Sequence, residues 1–210
     1  AAHPDALRAS VRSFDIGGRA FDADACIELM GVVNLSRDSW YRESVSPSTT
    51  AAIERGRVLA AQGAMIIDIG AESTIPGAAR VSPADQVAGV LPVVTALRDD
   101  GIVTSVETYS PEVAKVVLGA GAQVLNLTGV EREDEMYATA AEHDAAVIMC
   151  FVQGANVREV HDLVLGDDTA TLHDALASRE LPVLLVSGRD PASLERVASP
   201  RGWTFAAKPV

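Results

Sequence analysis

The sequence is short of basic residues, of cysteine and of long apolar runs, and each shortage bears on what the protein can be. Seventeen Lys and Arg stand against 29 Asp and Glu in 210 residues, a formal charge of −12. Broad binding to nucleic acid rests on neutralising phosphates with Lys and Arg, so this balance argues against a nucleic-acid partner. A small anionic ligand held by a few local donors stays open. No apolar run approaches the ~18–20 residues of a membrane helix. The opening stretch AAHPDALRASVRS carries polar and charged groups where the apolar part of a secretory leader would lie. A cytoplasmic protein with no membrane contact is the expectation. The two cysteines, Cys26 and Cys150, are far apart and match neither a metal nor a redox spacing, as expected for a pair of buried, reduced thiols. The four histidines share no ligand spacing. His143, His161 and His173 read as surface residues, and the pair His161-Asp162 has no nucleophile beside it.

What is abundant is apolar sequence, 48% of the residues, enough for a sizeable core. It falls in short runs: Leu29–Val33, Met65–Ile69, Ile102–Val106, Gln123–Asn126, Ala146–Met149 and Pro182–Val186, with a further candidate at Trp203–Ala207. The runs are nearly continuous in hydrophobicity, as expected of strands covered on both faces. Helical patterns lie between them. Ser46-Pro47, Ser82-Pro83, Ser110-Pro111 and Asp190-Pro191 each place a capping side chain before a proline suited to the first helical position, and Ser82 with Asp85 resembles a capping box. Val113, Val116, Val117 and Ala120, and likewise Val87, Val90, Leu91 and Val94, recur at helical spacing. Repeated strand–helix units predict a parallel sheet, open or closed. A hairpin is predicted around Asp15–Phe21. No linker, repeat or low-complexity stretch divides the chain, so residues 1–210 are expected to form one domain.

In parallel α/β folds, chemistry gathers at the carboxyl ends of the strands. Those ends are polar here: Asn34 to Ser39, Gly70 to Thr74, Glu107-Thr108, Asn126 to Gly129, Cys150 with Gln153-Gly154, and Ser187 to Asp190. Amides, hydroxyls and carboxylates converging on one mouth suit a polar heterocycle. Asp68, inside an apolar strand, reads equally as a structural group or a ligand contact. Glu72 either anchors its loop or meets the ligand. Arg189 is a surface cation or an anion binder, and Asp190 a helix cap. Glu107 and Asn126 end apolar strands, where a structural sequence would place a small residue.

These segments also resemble a family. Met30-Gly31-Val32-Val33-Asn34-Leu35-Ser36-Arg37-Asp38-Ser39-Trp40 is similar to the first dihydropteroate synthase signature, M-G-I-x-N-x-T-P-D-S-F. Gly63 to Ala78, with Ile66-Ile67-Asp68-Ile69-Gly70-Ala71-Glu72-Ser73-Thr74-Ile75-Pro76-Gly77 at its centre, resembles the second, G-A-D-I-I-D-I-G-G-E-S-T-R-P-G-A. Ser105-Val106-Glu107-Thr108 resembles S-V-D-T, and Ala120 to Gly129 resembles A-G-A-x-x-I-N-D-x-S-G. The match runs in order from about residue 14 to 154.

The resemblance implies an α/β fold of the (β/α)8 TIM-barrel type, shortened or incomplete after residue 154. It implies a transferase that joins a hydroxymethyl-dihydropterin diphosphate to p-aminobenzoate with Mg²⁺, releasing pyrophosphate, and a homodimer. Asn34 would meet the metal or the diphosphate, and Thr74 the diphosphate or its loop. Glu107 and Asn126 would hold the pterin, Glu107 by a bidentate, charge-assisted pair. Arg189, in the place of the S-R-K motif, is the third catalytic candidate. Met149, Ser187, Arg37 and Ile75 complete the candidate substrate-binding set.

The departures are specific. Ile75 replaces the Arg of S-T-R-P-G, Arg37 and Trp40 replace the Pro and Phe of the first loop, and Cys150 replaces a His. Leu127 stands where an acid follows the fourth-strand Asn, implying a lost pterin acceptor. The D-P-G-x-G-F and R-x-H segments are not found, and Val157 to Asp162 echoes R-V-H-D only by chance. From the strand at 146 to that at 183 there is room for one helix where the family fits a helix, a strand and a helix. A β/α unit between Gln153 and Pro182 is therefore deleted or unrecorded. Three readings follow: a p-aminobenzoate synthase, a relative with another acceptor, and a non-catalytic ligand-binding or partner protein on the same scaffold. A folate-binding methyltransferase domain would not need the motifs of Asn34 and Thr74.

Overall fold

The structure, a computed structural model, describes residues 13–22, 25–39, 42–75, 77–129, 131–150 and 155–158, and the backbone of 183–187 and 204–207. It begins with the predicted hairpin, β1 (Phe14–Ile16) and β2 (Arg19–Phe21), paired antiparallel. The two-residue turn between them needs positive φ at both positions, and Gly17 and Gly18 supply it at 58° and 78°. Asp15 Oδ1 accepts the Gly18 N–H at 2.9 Å.

The rest alternates strand and helix: β3 (Leu29–Asn34), α1 (Thr49–Ala61), β4 (Ala64–Gly70), α2 (Pro83–Asp99), β5 (Val103–Thr108), α3 (Pro111–Gly119), β6 (Val124–Leu127), α4 (Glu133–Glu142) and β7 (Ala146–Met149), followed by β8 (Val183–Ser187) and β9 (Thr204–Ala207). Strands β3 to β9 form one parallel sheet in chain order. This is the predicted α/β architecture, with seven strands in the sheet among the described residues where a (β/α)8 barrel has eight. Strand β8 pairs directly with β7, so no strand intervenes in the sheet where the family pattern led us to expect one.

Helix starts follow the side chains that cap them. Ser82 Oγ accepts the Asp85 N–H and donates to Asp85 Oδ2, and Ser110 Oγ accepts from the Val113 N–H. The expectation at Ser46-Pro47 is corrected. Helix α1 starts later, capped by Ser48 through the Ala51 N–H, because Ser46 is committed to the sheet, its N–H donating to the Asn34 carbonyl at 2.8 Å. The pair Asp190-Pro191 lies outside the described residues, as do Trp40 and His161-Asp162.

Strand alternation divides the apolar residues between two cores. Ile67, Ile69, Val106, Leu125, Leu127, Val147 and Met149 pack outward against Val93, Val94, Leu97, Val117 and Met136 of the helices. Ile66, Val103, Val124 and Ile148 point the other way, and Ile16 and Phe21 of the hairpin close over them, with the Phe14 and Phe21 rings stacked at 5.3 Å. Burying each such aliphatic side chain is worth about 1.5–3 kcal/mol. Both faces are covered on β4 to β7, which is why those strands read as continuous apolar runs, whereas Leu29, Met30 and Val32 of β3 stay exposed. The inner core is a floor, and above it the inner positions turn polar at Asn34, Asp68, Ser105, Glu107 and Asn126.

Candidate active site

Strand register assembles the site. Asn34, Gly70, Glu107, Asn126 and Ile148 are successive partners across β3 to β7, so their inner sides share one layer. Two residues earlier along the chain, Val32, Asp68 and Ser105 form the layer beneath. Above the floor lies a cavity of about 870 Å³, lined among others by Asn34, Asp68, Thr74, Glu107, Asn126 and Cys150.

Each polar group is held in a defined orientation. Asn34 Nδ2 donates to Ser44 Oγ at 2.7 Å and Ser39 Oγ at 3.0 Å, which fixes the amide. Asn34 Oδ1 then lies beside Gly70, where a β-carbon would stand 3.0 Å from it and 3.2 Å from Glu107 Oε2. Gly70 is what lets these two side chains share the layer. Asp68 takes the structural role among its two expected readings. Its Oδ1 accepts from Ser105 Oγ at 2.6 Å and its Oδ2 from Asn126 Nδ2 at 3.0 Å, and it also lines the cavity. Burial pushes its carboxyl up from the ordinary value of 3.8, and the two hydrogen bonds oppose that shift. With Nδ2 spent on Asp68, Asn126 keeps its Oδ1 as a buried acceptor without a partner among the described residues. Leaving such an atom unpaired costs about 1–3 kcal/mol, a cost that a donor on a ligand would remove.

Glu72 anchors its loop. It accepts the Val81 N–H at 3.0 Å and Arg158 Nη1 at 2.8 Å on Oε1, and the Tyr109 hydroxyl on Oε2. Tyr109 in turn accepts from Arg80, and burial, followed by the bond to Glu72, holds its pKa above the ordinary value, so it keeps its proton.

Not every expected residue faces the cavity. Met149 points to the helix side, where its sulfur accepts from the Tyr137 hydroxyl at 3.3 Å; Cys150, one residue on, lines the cavity instead. Arg37 is exposed, and neither it nor Ile75 is among the lining residues. Ser187 ends β8 beside Ala207 of β9, and Arg189 lies outside the described residues. Leu127 reverses an expectation. It is 2% exposed within the helix-side core, so an acid at that position would point away from the cavity, and its replacement removes no acceptor from the inner layer. Ser105 and Arg158 were missed. A serine inside an apolar strand was the available signal for Ser105, whereas Arg158 meets Glu72 across 86 residues of chain with no local pattern to announce it.

The donors also allow a test of fit for Mg²⁺. Among the described residues no group of three Asp, Glu, His or Cys side chains is placed to hold a metal ion. One oriented amide oxygen, that of Asn34, suits a hard cation that keeps most of its water and is carried by substrate phosphates. The residues therefore fit a metal that arrives with a diphosphate, and do not form a cage of their own.

Comparison with known proteins places the chain in a family. The family described as pterin binding enzyme matches residues 30–179. The dihydropteroate synthase of Streptococcus pyogenes serotype M1 is 36% identical over 144 residues, 68% of this chain and 53% of that protein. A probable bifunctional folylpolyglutamate synthase/dihydropteroate synthase of Halobacterium salinarum is 40% identical over 122 residues, 58% of this chain and 15% of that protein. The chain thus spans about half the length of the first of these relatives and a smaller share of the second. Among solved structures, the dihydropteroate synthase of Xanthomonas albilineans with 4-aminobenzoic acid superposes with a TM-score of 0.71 at 25% identity, over 94% of this chain and 78% of that one. The chain belongs to the pterin-binding enzyme family, the one that holds the dihydropteroate synthases it resembles.

Proposed function

We propose that the protein is a dihydropteroate synthase-like transferase that joins a hydroxymethyl-dihydropterin diphosphate to an arylamine, p-aminobenzoate or another acceptor, and releases pyrophosphate. The observation that carries this reading is the layer formed by Asn34, Glu107 and Asn126 on one register row, with a buried acceptor on Asn126 awaiting a donor. An aminopyrimidine offers adjacent N–H donors. A carboxylate such as Glu107 accepts two of them, and Asn126 Oδ1 a third. The pterin then lies across β5 and β6, and its diphosphate reaches the mouth, where Asn34, Ser39, Ser73 and Thr74 supply amide and hydroxyl groups. The amine attacks the methylene carbon, a C–N bond forms as the C–O bond breaks, pyrophosphate leaves and the nitrogen gives up a proton to solvent. Mg²⁺, when bound with the diphosphate, spreads the charge of the leaving group. The same reading proposes one domain over residues 1–210, a cytoplasmic location, a homodimer and small-molecule partners only.

One observation favours a second reading, a non-catalytic pterin-binding or partner protein. Among the described lining residues Arg55 is the only cation, against Glu43, Asp68, Glu107 and the Arg158-paired Glu72, which leaves a diphosphate little protein charge to meet. The test is pyrophosphate release from hydroxymethyl-dihydropterin diphosphate with Mg²⁺ and a panel of arylamines, beside calorimetry with the pterin. Release is expected, as is a loss of pterin affinity of about 1–3 kcal/mol in Glu107→Gln. Binding without release supports the second reading. Neither binding nor release overturns both.

A further inference from the structure

We infer that Arg158 is a positioning residue for this site: through Glu72 it sets the loop between β4 and α2, and with it Ser73 and Thr74, over the mouth. The inference deepens the transferase reading above and rests on it.

The ion pair between Arg158 Nη1 and Glu72 Oε1 spans 2.8 Å, with the two side chains only 4% and 8% exposed. Arg158 does more than neutralise the acid. Its Nη2 donates to the Ala78 carbonyl and its Nη1 reaches the Ala79 carbonyl, while Glu72 accepts the Val81 N–H. The outgoing and returning limbs of one loop therefore close on a single guanidinium. A planar fork with several donors can serve acceptors in different directions, which a lysine ammonium on a flexible stem does poorly. The family pattern places an arginine within this loop at position 75, where this chain has isoleucine. The buried cation that meets this loop is Arg158, from another part of the chain.

Arg158 is itself held from elsewhere, so it can act as an anchor. Its N–H donates to Asn156 Oδ1 at 3.0 Å, and the Val157 N–H donates to the Thr128 carbonyl at 2.9 Å. Gly129 and Asn156 bridge antiparallel. Gly129 must lack a side chain for this, since a β-carbon there would stand 2.7 Å from Tyr109 Cβ. The segment carrying Arg158 is thus fastened to the end of β6, and Arg158 transmits that position to the β4–α2 loop. Ser73 and Thr74 line the cavity from this loop, whereas Glu107 and Asn126 sit on β5 and β6 within the sheet. Loosening the loop should therefore disturb the diphosphate and acceptor end of the site and spare the pterin end.

The experiment compares Arg158→Met, Arg158→Lys and the double variant Glu72→Gln/Arg158→Met with the wild-type chain. Removing one partner of a buried pair strands the other, so the double variant, which leaves no unpaired charge, covers the case in which Arg158→Met does not fold. Amide hydrogen exchange across residues 77–82, without ligand, should quicken by about tenfold in Arg158→Met and in the double variant, as local opening becomes easier. Calorimetric affinity for hydroxymethylpterin should stay within about twofold, while KM for the diphosphate substrate or the amine rises by about tenfold with kcat less affected. Arg158→Lys should recover part of that KM. Unchanged exchange in 77–82, or a loss of pterin affinity as large as the KM effect, overturns the inference. The exchange arm reads the loop alone. A wild-type chain that binds no pterin would sink the transferase reading without altering what exchange says about Arg158 and the loop.

Discussion

Asp68 shows how one buried side chain can link stability to the site. Its carboxylate accepts from Ser105 and Asn126, and burial nevertheless raises its pKa. A carboxyl whose folded pKa is raised stabilises the fold in its protonated form. That contribution is complete below the unfolded value and is lost as pH climbs through the folded one. The contribution of Asp68 to the urea midpoint should therefore decline as pH rises above 3.8. Asp68→Asn should flatten that decline, because the new amide can accept from Asn126 while the Ser105 hydroxyl turns to accept from it. Equal slopes for the two proteins would reject this account. Gly70 tests the same layer sterically. Gly70→Ala places a methyl against the tips of Asn34 and Glu107, 3.0 and 3.2 Å away. Glu107 Oε2 ends a flexible side chain and can yield, whereas the Asn34 amide is held by Ser39 and Ser44, so the thermal midpoint should fall slightly while pterin affinity falls by about tenfold, or ~1.4 kcal/mol. Unaltered affinity in titration calorimetry would show that the two tips are not needed where they stand.

The elements were the most legible part of the sequence, and the reason is physical. Strands covered on both faces are largely apolar, so β4 to β7 stood out as runs, and β3 did so too although its Met30 and Val32 stay exposed. Serine before proline marks a helix start because the hydroxyl serves a free N–H and proline needs none, and it located α2 and α3. It misplaced α1, since Ser46 spends its backbone on the Asn34 carbonyl and the cap passes to Ser48. The price of continuous hydrophobicity is that it hides which face a residue takes. Nothing local shows that Asn126 points inward and Leu127 outward, nor that Met149 meets the helices and Cys150 the cavity. Alternation within a known register decides it. Between elements, Glu112 of α3 and Arg132, which precedes α4, meet at 2.7 Å. The bond to Arg132, then hydrogen bonds from the chain's own backbone and Ser110, lower the Glu112 carboxyl from 4.5 to about 2. A depressed carboxyl stabilises above its unfolded value and ceases to as pH falls through the folded one. Arg132→Ala should thus lower the denaturant midpoint at pH 7, by an amount that shrinks as pH falls through about 2. The effect should be small, because both side chains are more than half exposed and water screens exposed pairs. A deficit as large at pH 2 as at pH 7 would assign Arg132 some other role.

At the scale of the molecule, charge and sheet order matter most. A formal charge of −12 means net self-repulsion in the compact state. Screening it by raising salt from 0.05 to 0.5 M, over which the Debye length falls well below ~10 Å, should raise the thermal midpoint. A fall would mean that local ion pairs outweigh the net field. The parallel order from β3 to β9 brings residues from five strand ends to one mouth, and the direct pairing of β8 with β7 turns the shortfall in length noted from sequence into a feature of the sheet.

The kinds of element, their order, and the strand ends that carry amide, hydroxyl and carboxylate groups all follow from local physics: hydrophobic period, capping chemistry and the special needs of glycine and proline act over a few residues and leave their mark within them. Pairings across distant chain segments leave none. The bond from Asn126 to Asp68 closes 58 residues, and that from Arg158 to Glu72 closes 86. Both exist because sheet register and loop packing bring together groups that could not stay buried unpaired, and that condition arises only when the chain is folded.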